Sequence, residues 1–389
     1  MLHHYFDHNA TSPLASEVLE AMLPFLQQEH GNPSSQHRHG RAARAAIERA
    51  RAQVASLIGA RPGEIVFTGS GTEANNLALK GIAATMSPGI SPGALAVAAI
   101  EHSSVLGAAR SLERAGWRLA QVQPDTQGRV TAALLDAALL PATRLVSVIG
   151  ANNETGVIQD MPALSAVAAR CGALFHCDAV QAAGRIPLDF AASGVHLMSL
   201  SAHKLGGPKG VGALAVHRSV DIESLLHGGG QESGRRSGTE NVAGIVGFGR
   251  AAELVARGIE TRARHLRALR ERLETQLREI PGVEIFGAQA ERLPNTSCFA
   301  VDGVDGGTLV LKLDEAGFAV SSGSACGSAS PEPSHVLLAM GVTRERAYGA
   351  LRVSFGMEND VAAVDAFAAC LRVQIGQLRQ SLGGFATGV

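Results

Sequence analysis

Short apolar runs alternate along this chain with longer stretches in which apolar residues recur every three or four positions, and that rhythm predicts its elements. Residues 14–29 and 36–58 carry the helical period, with Ala46, Ile47, Ala50, Val54 and Leu57 on one face of the second stretch. Gly31-Asn32-Pro33-Ser34-Ser35 breaks the pattern between them. From residue 64 the runs predict seven strands, at 64–68, 95–99, 118–122, 145–149, 173–177, 197–199 and 212–216, with helices in most gaps. Strands that alternate with helices build a mostly parallel sheet covered on both faces. The Pro/Gly-rich residues 86–94 read as a surface loop. After about residue 255 the texture changes to a charged helix over 259–279, strands over 283–286, 297–301 and 318–321, and a helix near 360–381. The expected fold is therefore α/β. A large domain over 15–255 holds a mostly parallel seven-stranded sheet, and residues 1–14 plus 256–389 form a smaller α+β domain with a Gly/Ser-rich loop at about 321–334.

Composition narrows the class. The 389 residues are 46% hydrophobic and only 4% aromatic, which suits a soluble α/β enzyme with small residues between helix and sheet. Lys and Arg number 34 against 35 Asp and Glu, so no basic field argues for nucleic acid. No apolar run is expected to span a membrane and no signal-peptide pattern opens the chain, so a cytoplasmic protein is expected. The five cysteines, Cys171, Cys177, Cys298, Cys326 and Cys370, form no C-x-x-C pair, and an odd number in a reducing compartment argues against a disulfide framework. Cys171, Cys298 and Cys370 have apolar neighbours and are expected in the core; Cys326 does not.

Polar segments follow the predicted strands. Lys204 closes Ser201-Ala202-His203-Lys204, ahead of a glycine-rich turn. An amine placed there suits a Schiff base with pyridoxal 5'-phosphate, the plain alternative being a surface lysine. Gly69-Ser70-Gly71-Thr72-Glu73-Ala74-Asn75-Asn76 opens a helix, where unpaired amides attract phosphate and Thr72 is placed to cap. An ordinary glycine turn would look the same, and the order matches neither G-x-G-x-x-G nor a P-loop. Asp178, in Phe175-His176-Cys177-Asp178-Ala179-Val180-Gln181, ends a strand where α/β sheets place ligand chemistry. It is placed to pair with a pyridine nitrogen and Gln181 with the phenolic oxygen. A metal site from His176, Cys177 and Asp178 is disfavoured because adjacent strand residues face opposite ways. His102, in Glu101-His102-Ser103-Ser104, offers a ring to stack and a proton carrier, and Asn153 in Asn152-Asn153-Glu154-Thr155-Gly156 offers an amide. In Ser321-Ser322-Gly323-Ser324-Ala325-Cys326-Gly327-Ser328-Ala329-Ser330-Pro331, small residues surround one thiol. This predicts a mobile, exposed loop whose thiol is available for chemistry, against the alternative of a linker with an incidental cysteine.

Together these segments resemble the cysteine desulfurases, fold-type I pyridoxal-phosphate enzymes of the class V aminotransferase group. The likeness runs nearly end to end and includes Asp7-His8-Asn9-Ala10-Thr11 and Arg236-Ser237-Gly238-Thr239-Glu240-Asn241. The Cys326 loop is similar to that of the long-loop, NifS/IscS-like group, and Glu240-Asn241 leans towards NifS. The resemblance implies that Lys204 holds the cofactor and later shuttles the substrate's Cα proton. Asp178 would pair with the pyridine nitrogen, Gln181 would bond the phenolic oxygen and His102 would stack over the ring. Gly71, Thr72, Ser201 and His203 would hold the phosphate, joined by Thr239 from a second subunit. Arg352 would clamp the substrate carboxylate, with Asn32 and Asn153 orienting it.

The reaction implied takes sulfur from L-cysteine, leaving L-alanine and a persulfide on Cys326. That persulfide passes to an acceptor protein for iron–sulfur cluster assembly or thiolation. A cytoplasmic homodimer is implied, with no resident metal, although Cys326 would be able to hold an iron–sulfur cluster in transit. His8 stands where asparagine is common and Gly327 where a hydroxyl residue often follows the cysteine. The chain ends without the longer tail of the IscS type, which leaves the acceptor open. An aminotransferase or selenocysteine lyase of the same fold shares the cofactor residues but has no use for Cys326. A non-catalytic scaffold would not need Lys204, Asp178, His102 and Arg352 intact.

Overall fold

The computed structural model describes residues 4–85, 93–322 and 332–385. It opens with the short strand β1 (His4–Tyr5) and two helices, α1 (Ser16–Gln27) and α2 (Arg38–Leu57), each trimmed at both ends relative to its periodic stretch. There follow β2 (Ile65–Thr68), α3 (Gly71–Ala84), β3 (Ala94–Ala98), α4 (Ser103–Arg114), β4 (Arg118–Val122), α5 (Ala132–Ala138), β5 (Thr143–Ile149), α6 (Met161–Arg170), β6 (Leu174–Asp178), β7 (Leu197–Ser201) and β8 (Gly212–Val216). All seven strands expected of the large sheet form, in the order β2-β8-β7-β6-β5-β3-β4. Only β8 runs against the rest, antiparallel to both β7 and β2.

Strand pleating divides the apolar residues between two cores. Ala96 and Ala98 of β3 face one, with Ile47 and Val54 of α2 and Leu164 of α6. Leu95 and Val97 face the other, under Leu77 and Ala78 of α3 and Val105 and Ala109 of α4. Helix α7 (Val242–Ala256) then packs against α2 and α1, with Phe248 fully buried.

The rest of the chain forms α8 (Ile259–Arg278), β9 (Val283–Ile285), β10 (Thr296–Val301), α9 (Gly306–Glu315), β11 (Phe318–Ala319), β12 (Ser321–Ser322), α10 (His335–Ala339), α11 (Arg344–Tyr348), β13 (Ala350–Ser354) and α12 (Val361–Phe385). The expected strand over 318–321 is two strands, because the chain changes sheets at Val320. β11 pairs with β1, whereas β12 joins β13, β10 and β9 in a four-stranded sheet. In that sheet Phe299, Val301, Leu351 and Val353 enter a third core with α8, α9 and α12. Cys298, Ala300 and Ala350 face the main core instead. Arg352 shares the face of Ala350, so the pleat directs it towards the large sheet.

By composition, α12 is an exception to the expected lack of a span-length apolar stretch: Val361–Gln380 has a mean hydropathy of 1.3. Its Val364, Phe367, Leu371 and Ile375 are nevertheless buried in the third core. Cys177 and Cys298 are buried and Cys370 is partly so, but Cys171, expected inside, lies exposed at the end of α6.

Candidate active site

Five co-directional strands end at one edge of the large sheet, and each passes into a polar segment. β2 leads to Ser70-Gly71-Thr72, β3 to His102 and β5 to Asn153, while β6 ends on Asp178 and β7 on Ser201 before Lys204. With Asn9 and Ala10 from the N-terminal segment and Arg352 from β13, they line a cavity of about 340 Å³. Of the residues expected from sequence, Gly71, Thr72, His102, Asn153, Asp178, Gln181, Ser201, His203, Lys204 and Arg352 line this one space. Asn32 and Thr239 do not. Asn32 is exposed, and its Oδ1 accepts the Ser34 amide at 2.9 Å; Thr239 is exposed. Cys326 lies outside the described residues.

At one end the start of α3 forms an amide cradle. Ser70, not Thr72, caps this helix: its Oγ accepts the Glu73 amide at 3.1 Å, and Thr72 is the second helical residue. That leaves the Thr72 hydroxyl at the cavity wall beside the unpaired amides of the first turn. Glycines allow the close approach. A Cβ on Gly71 would lie 2.9 Å from Val180 Cγ2, and one on Gly212 would lie 2.5 Å from the Ser70 carbonyl carbon. Glu73 braces the turn, accepting the Gly69 amide at 2.7 Å and pairing with Arg236 at 2.8 Å. His203, whose Nδ1 meets Thr11 Oγ1 at 3.1 Å, is driven to about 4 by burial and then by the charge of Lys204, so it is neutral at pH 7.

Asp178 forms the opposite wall. Its Oδ2 accepts Asn75 Nδ2 at 2.7 Å and its Oδ1 accepts the Val180 amide at 3.0 Å. Asn75 also donates to Ser104 Oγ at 2.8 Å, which lies 2.7 Å from His102 Nδ1. The Ser104 amide donates to the same Nδ1 at 3.2 Å. A backbone N–H can only donate, so Nδ1 is an acceptor and the neutral ring carries its proton on Nε2. Burial lowers the His102 pKa, opposed by the Asp178 charge and assisted by Lys204, which favours that neutral form.

A buried polar row backs this wall. Ser147 Oγ meets His176 Nδ1 at 2.9 Å, and His176 Nε2 meets Ser199 Oγ at 3.0 Å. Burial drives His176 down to about 3. Glu101, fully buried beside Ser147, is pushed well above the usual carboxyl range by burial and then by the Asp178 charge. Asp178 therefore reaches the cavity, whereas Glu101 is held neutral behind it.

Lys204 is positioned by the N-terminal segment, its Nζ donating to the carbonyls of Asn9 and Ala10 at 2.6 Å each. Asn9 is itself fixed, its Nδ2 donating to Thr296 Oγ1 at 2.9 Å and to the Asn153 carbonyl at 3.1 Å. Arg352 pairs with Asp7 at 2.7 Å and donates to the Asn153 carbonyl at 3.1 Å. Its buried Nε has no hydrogen-bond partner among the described residues. Asp7, Asn9, Asn75 and Ser104 all lie in motifs evident from sequence. Nothing local assigns them these roles, because apart from the Ser104–His102 contact their side-chain partners are tens to hundreds of residues away.

A lysine, a buried carboxylate and an amide cradle at the carboxyl edge of a seven-stranded sheet define a fold-type I pyridoxal-phosphate enzyme. The chain belongs to the class-V aminotransferase family, whose model matches residues 4–367. It is 44% identical over 378 residues to a cysteine desulfurase of Cereibacter sphaeroides, covering 96% of each chain. It is also 44% identical over 354 residues to the cysteine desulfurase IscS of Dictyoglomus turgidum, covering 91% of this chain and 89% of that protein. Among solved structures, a NifS-like protein superposes with a TM-score of 0.90 at 37% identity, covering 96% of this chain and all of that one. SspA in complex with cysteine superposes with a TM-score of 0.80 at 34% identity, covering 90% and 98%.

Pyridoxal 5'-phosphate is the cofactor of this family, and the residues fit it. The glycine cradle has no room for a Cβ, the donors around it suit a phosphate, and an amine and a carboxylate line the same cavity.

Proposed function

We propose that this chain is a cysteine desulfurase that removes sulfur from L-cysteine, leaving L-alanine and a persulfide on Cys326. One observation carries the reading: the described residues that flank positions 323–331, among which Cys326 falls, are tied on either side to elements that supply the cavity. Before that stretch, β12 pairs with β13 so that Ser321 lies opposite Arg352. After it, Ser334 donates to Glu154 and His335 Nε2 donates to the Glu101 carbonyl at 2.9 Å, next to Asn153 and His102. Cys326 is four residues beyond Ser322, within roughly 14 Å of extended chain.

The chain's residues then divide the work. Thr72, Ser201, His203 and the amides around Gly71 hold the phosphate, completed by Thr239 of a second subunit. Asp178 would hold a proton on the pyridine nitrogen, Gln181 would donate to the phenolic oxygen and His102 would pack over the ring. Arg352, oriented by Asp7, takes the substrate carboxylate as a planar fork, with Asn153 and Asn32 beside it. Lys204 would hold the cofactor and would move the proton at Cα. Bound pyridoxal phosphate supplies the electron sink for the charge left on that carbon. Cys326 thiolate attacks the substrate sulfur, so that an S–S bond forms as the Cβ–S bond breaks. The carbon skeleton takes up the protons and leaves as alanine, and the sulfur remains on the enzyme.

The reading extends to a cytoplasmic homodimer whose large unit (15–255) holds the cofactor and whose small unit (1–14 plus 256–389) presents Cys326. The persulfide goes to an acceptor protein for iron–sulfur assembly or thiolation, and Cys326 is the place for a cluster in transit. Relatives named cysteine desulfurase and a cysteine-bound neighbour support the substrate.

Cys326→Ala should keep the visible absorbance of the bound cofactor and lower sulfide release from L-cysteine at least about a hundredfold. Lys204→Ala should lose that absorbance. Full-rate sulfide release by C326A would overturn the persulfide route, and a colourless wild type that ignores added pyridoxal phosphate would overturn the cofactor assignment.

A further inference from the structure

Four residues beyond Gln181, in the turn that follows β6, the chain buries a cation. Arg185 is 7% exposed, and among the described residues no carboxylate pairs with it. Its Nη1 donates to the Gln181 carbonyl at 2.8 Å and to Gln181 Oε1 at 2.5 Å, and its Nη2 donates to the His8 carbonyl at 3.3 Å. A guanidinium has donors only, so the Gln181 amide must turn its oxygen to Arg185 and its NH₂ group away. Gln181 Nε2 accordingly donates to the Asn9 carbonyl at 2.9 Å, the same oxygen that receives Lys204 Nζ. The amide nitrogen has two hydrogens, and Gln181 lines the cavity. One hydrogen is therefore committed to Asn9 and one remains for a ligand oxygen.

We propose that Arg185 is a positioning residue: it fixes the Gln181 amide as a donor towards the cofactor's ring oxygen and sets the charge balance there. The proposal rests on the cavity being the pyridoxal-phosphate site. A buried guanidinium without a counter-charge is a poor choice for stability, since an apolar side chain of similar size would avoid its desolvation. Burial, with Arg352 and Arg262 acting in the same direction, lowers Arg185 to about 9, which still leaves it cationic at neutral pH. Its retention makes sense where it serves the site. An unpaired positive charge and a fixed donor both favour a negative ring oxygen, so both ease loss of the proton that this oxygen shares with the Lys204 nitrogen.

The test is a pH titration of the visible absorbance of the holoenzyme, beside its thermal midpoint. Arg185→Met removes the charge and lets the amide rotate, and it should raise the titration midpoint by about one pH unit, whatever the thermal midpoint loses through the acceptors left unpaired. Arg185→Lys keeps the charge and should recover more than half of that shift. The other ionisable groups on the cavity, Asp178, His102, His203, Lys204 and Arg352, are the same in every variant. Should R185M not fold, Arg185→Gln supplies a neutral polar group in the same space, with the same upward shift expected. A variant that titrates at the wild-type midpoint, with or without a loss of thermal stability, would make Arg185 purely structural and end the proposal. A wild type with no cofactor band at all would instead defeat the cofactor assignment, which is a separate outcome.

Discussion

Glu101 is fully buried, and its Oε2 has no hydrogen-bond partner among the described residues. Its folded pKa lies well above that of an exposed carboxyl. Its contribution to stability is therefore complete below the unfolded carboxyl's pKa and is lost as pH rises towards the folded value. Glu101→Gln has no such proton to lose. It should match the wild type near pH 4 and exceed its melting temperature by about 3 °C at pH 8. Identical melting curves at both pH values would place Glu101 elsewhere in protonation than burial dictates. His176, held at about 3, works in the other direction: the unfolded chain takes up its proton first, so stability falls as pH drops from about 6.5 towards 3. Asp178 and His102 stand out in the sequence because one ends a strand and the other follows one closely. Asn75, which joins them, does not, since an asparagine inside a helix has no signature for a partner on β6.

At the scale of elements, the proposed phosphate cradle depends on how closely β8 passes the start of α3. A Cβ on Gly212 would collide with the Ser70 carbonyl carbon, which is backbone and cannot rotate away. Gly212→Ala should weaken cofactor binding about tenfold or more and cost about 1–3 kcal/mol of stability, measured by cofactor titration and thermal melting. Unchanged affinity would mean that the cradle tolerates displacement. The large-sheet strands were legible because short runs rich in apolar residues recur between helical stretches, and β3 and β8 are apolar throughout, as strands buried on both faces tend to be. β13 was not, because Arg352 and Ser354 interrupt its run of Ala350, Leu351 and Val353. That irregularity is functional in form: the pleat that buries Leu351 and Val353 is what directs the arginine to the cavity. Thr72 was expected to cap α3, yet Ser70 does so. Both residues satisfy the local preference, and only the helix's starting point distinguishes them.

At the scale of the molecule, Leu19, Leu23 and Leu26 recur on one face of α1 and are 43%, 37% and 60% exposed. Thr239 is exposed on a segment that three ion pairs hold in place: Arg51–Glu232 at 2.7 Å, Arg236–Glu73 at 2.8 Å and Arg44–Glu240 at 3.3 Å. Glu232 and Ser233 adopt φ of 51° and 57°, which disfavours non-glycine residues, so these contacts hold a strained turn. An apolar helix face and a rigid exposed loop are what a subunit interface needs to complete a neighbour's site. Leu19→Glu with Leu23→Glu should shift the protein to monomers in light scattering and reduce turnover per chain at least about tenfold. A monomeric variant with full turnover would overturn the proposed cross-subunit role of Thr239.

The sequence by itself determined the alternation of strand and helix, the glycine punctuation and the identity of the reactive side chains, because these depend on period, backbone freedom and functional group. Only the tertiary structure decided which of those groups meet. The carboxyl ends of β2, β3, β5, β6 and β7 share one edge because their strands run the same way. The N-terminal segment supplies the carbonyls that hold Lys204, and a buried arginine turns Gln181 to face the cavity. Contacts between residues so far apart in the chain come from packing, which no local pattern encodes.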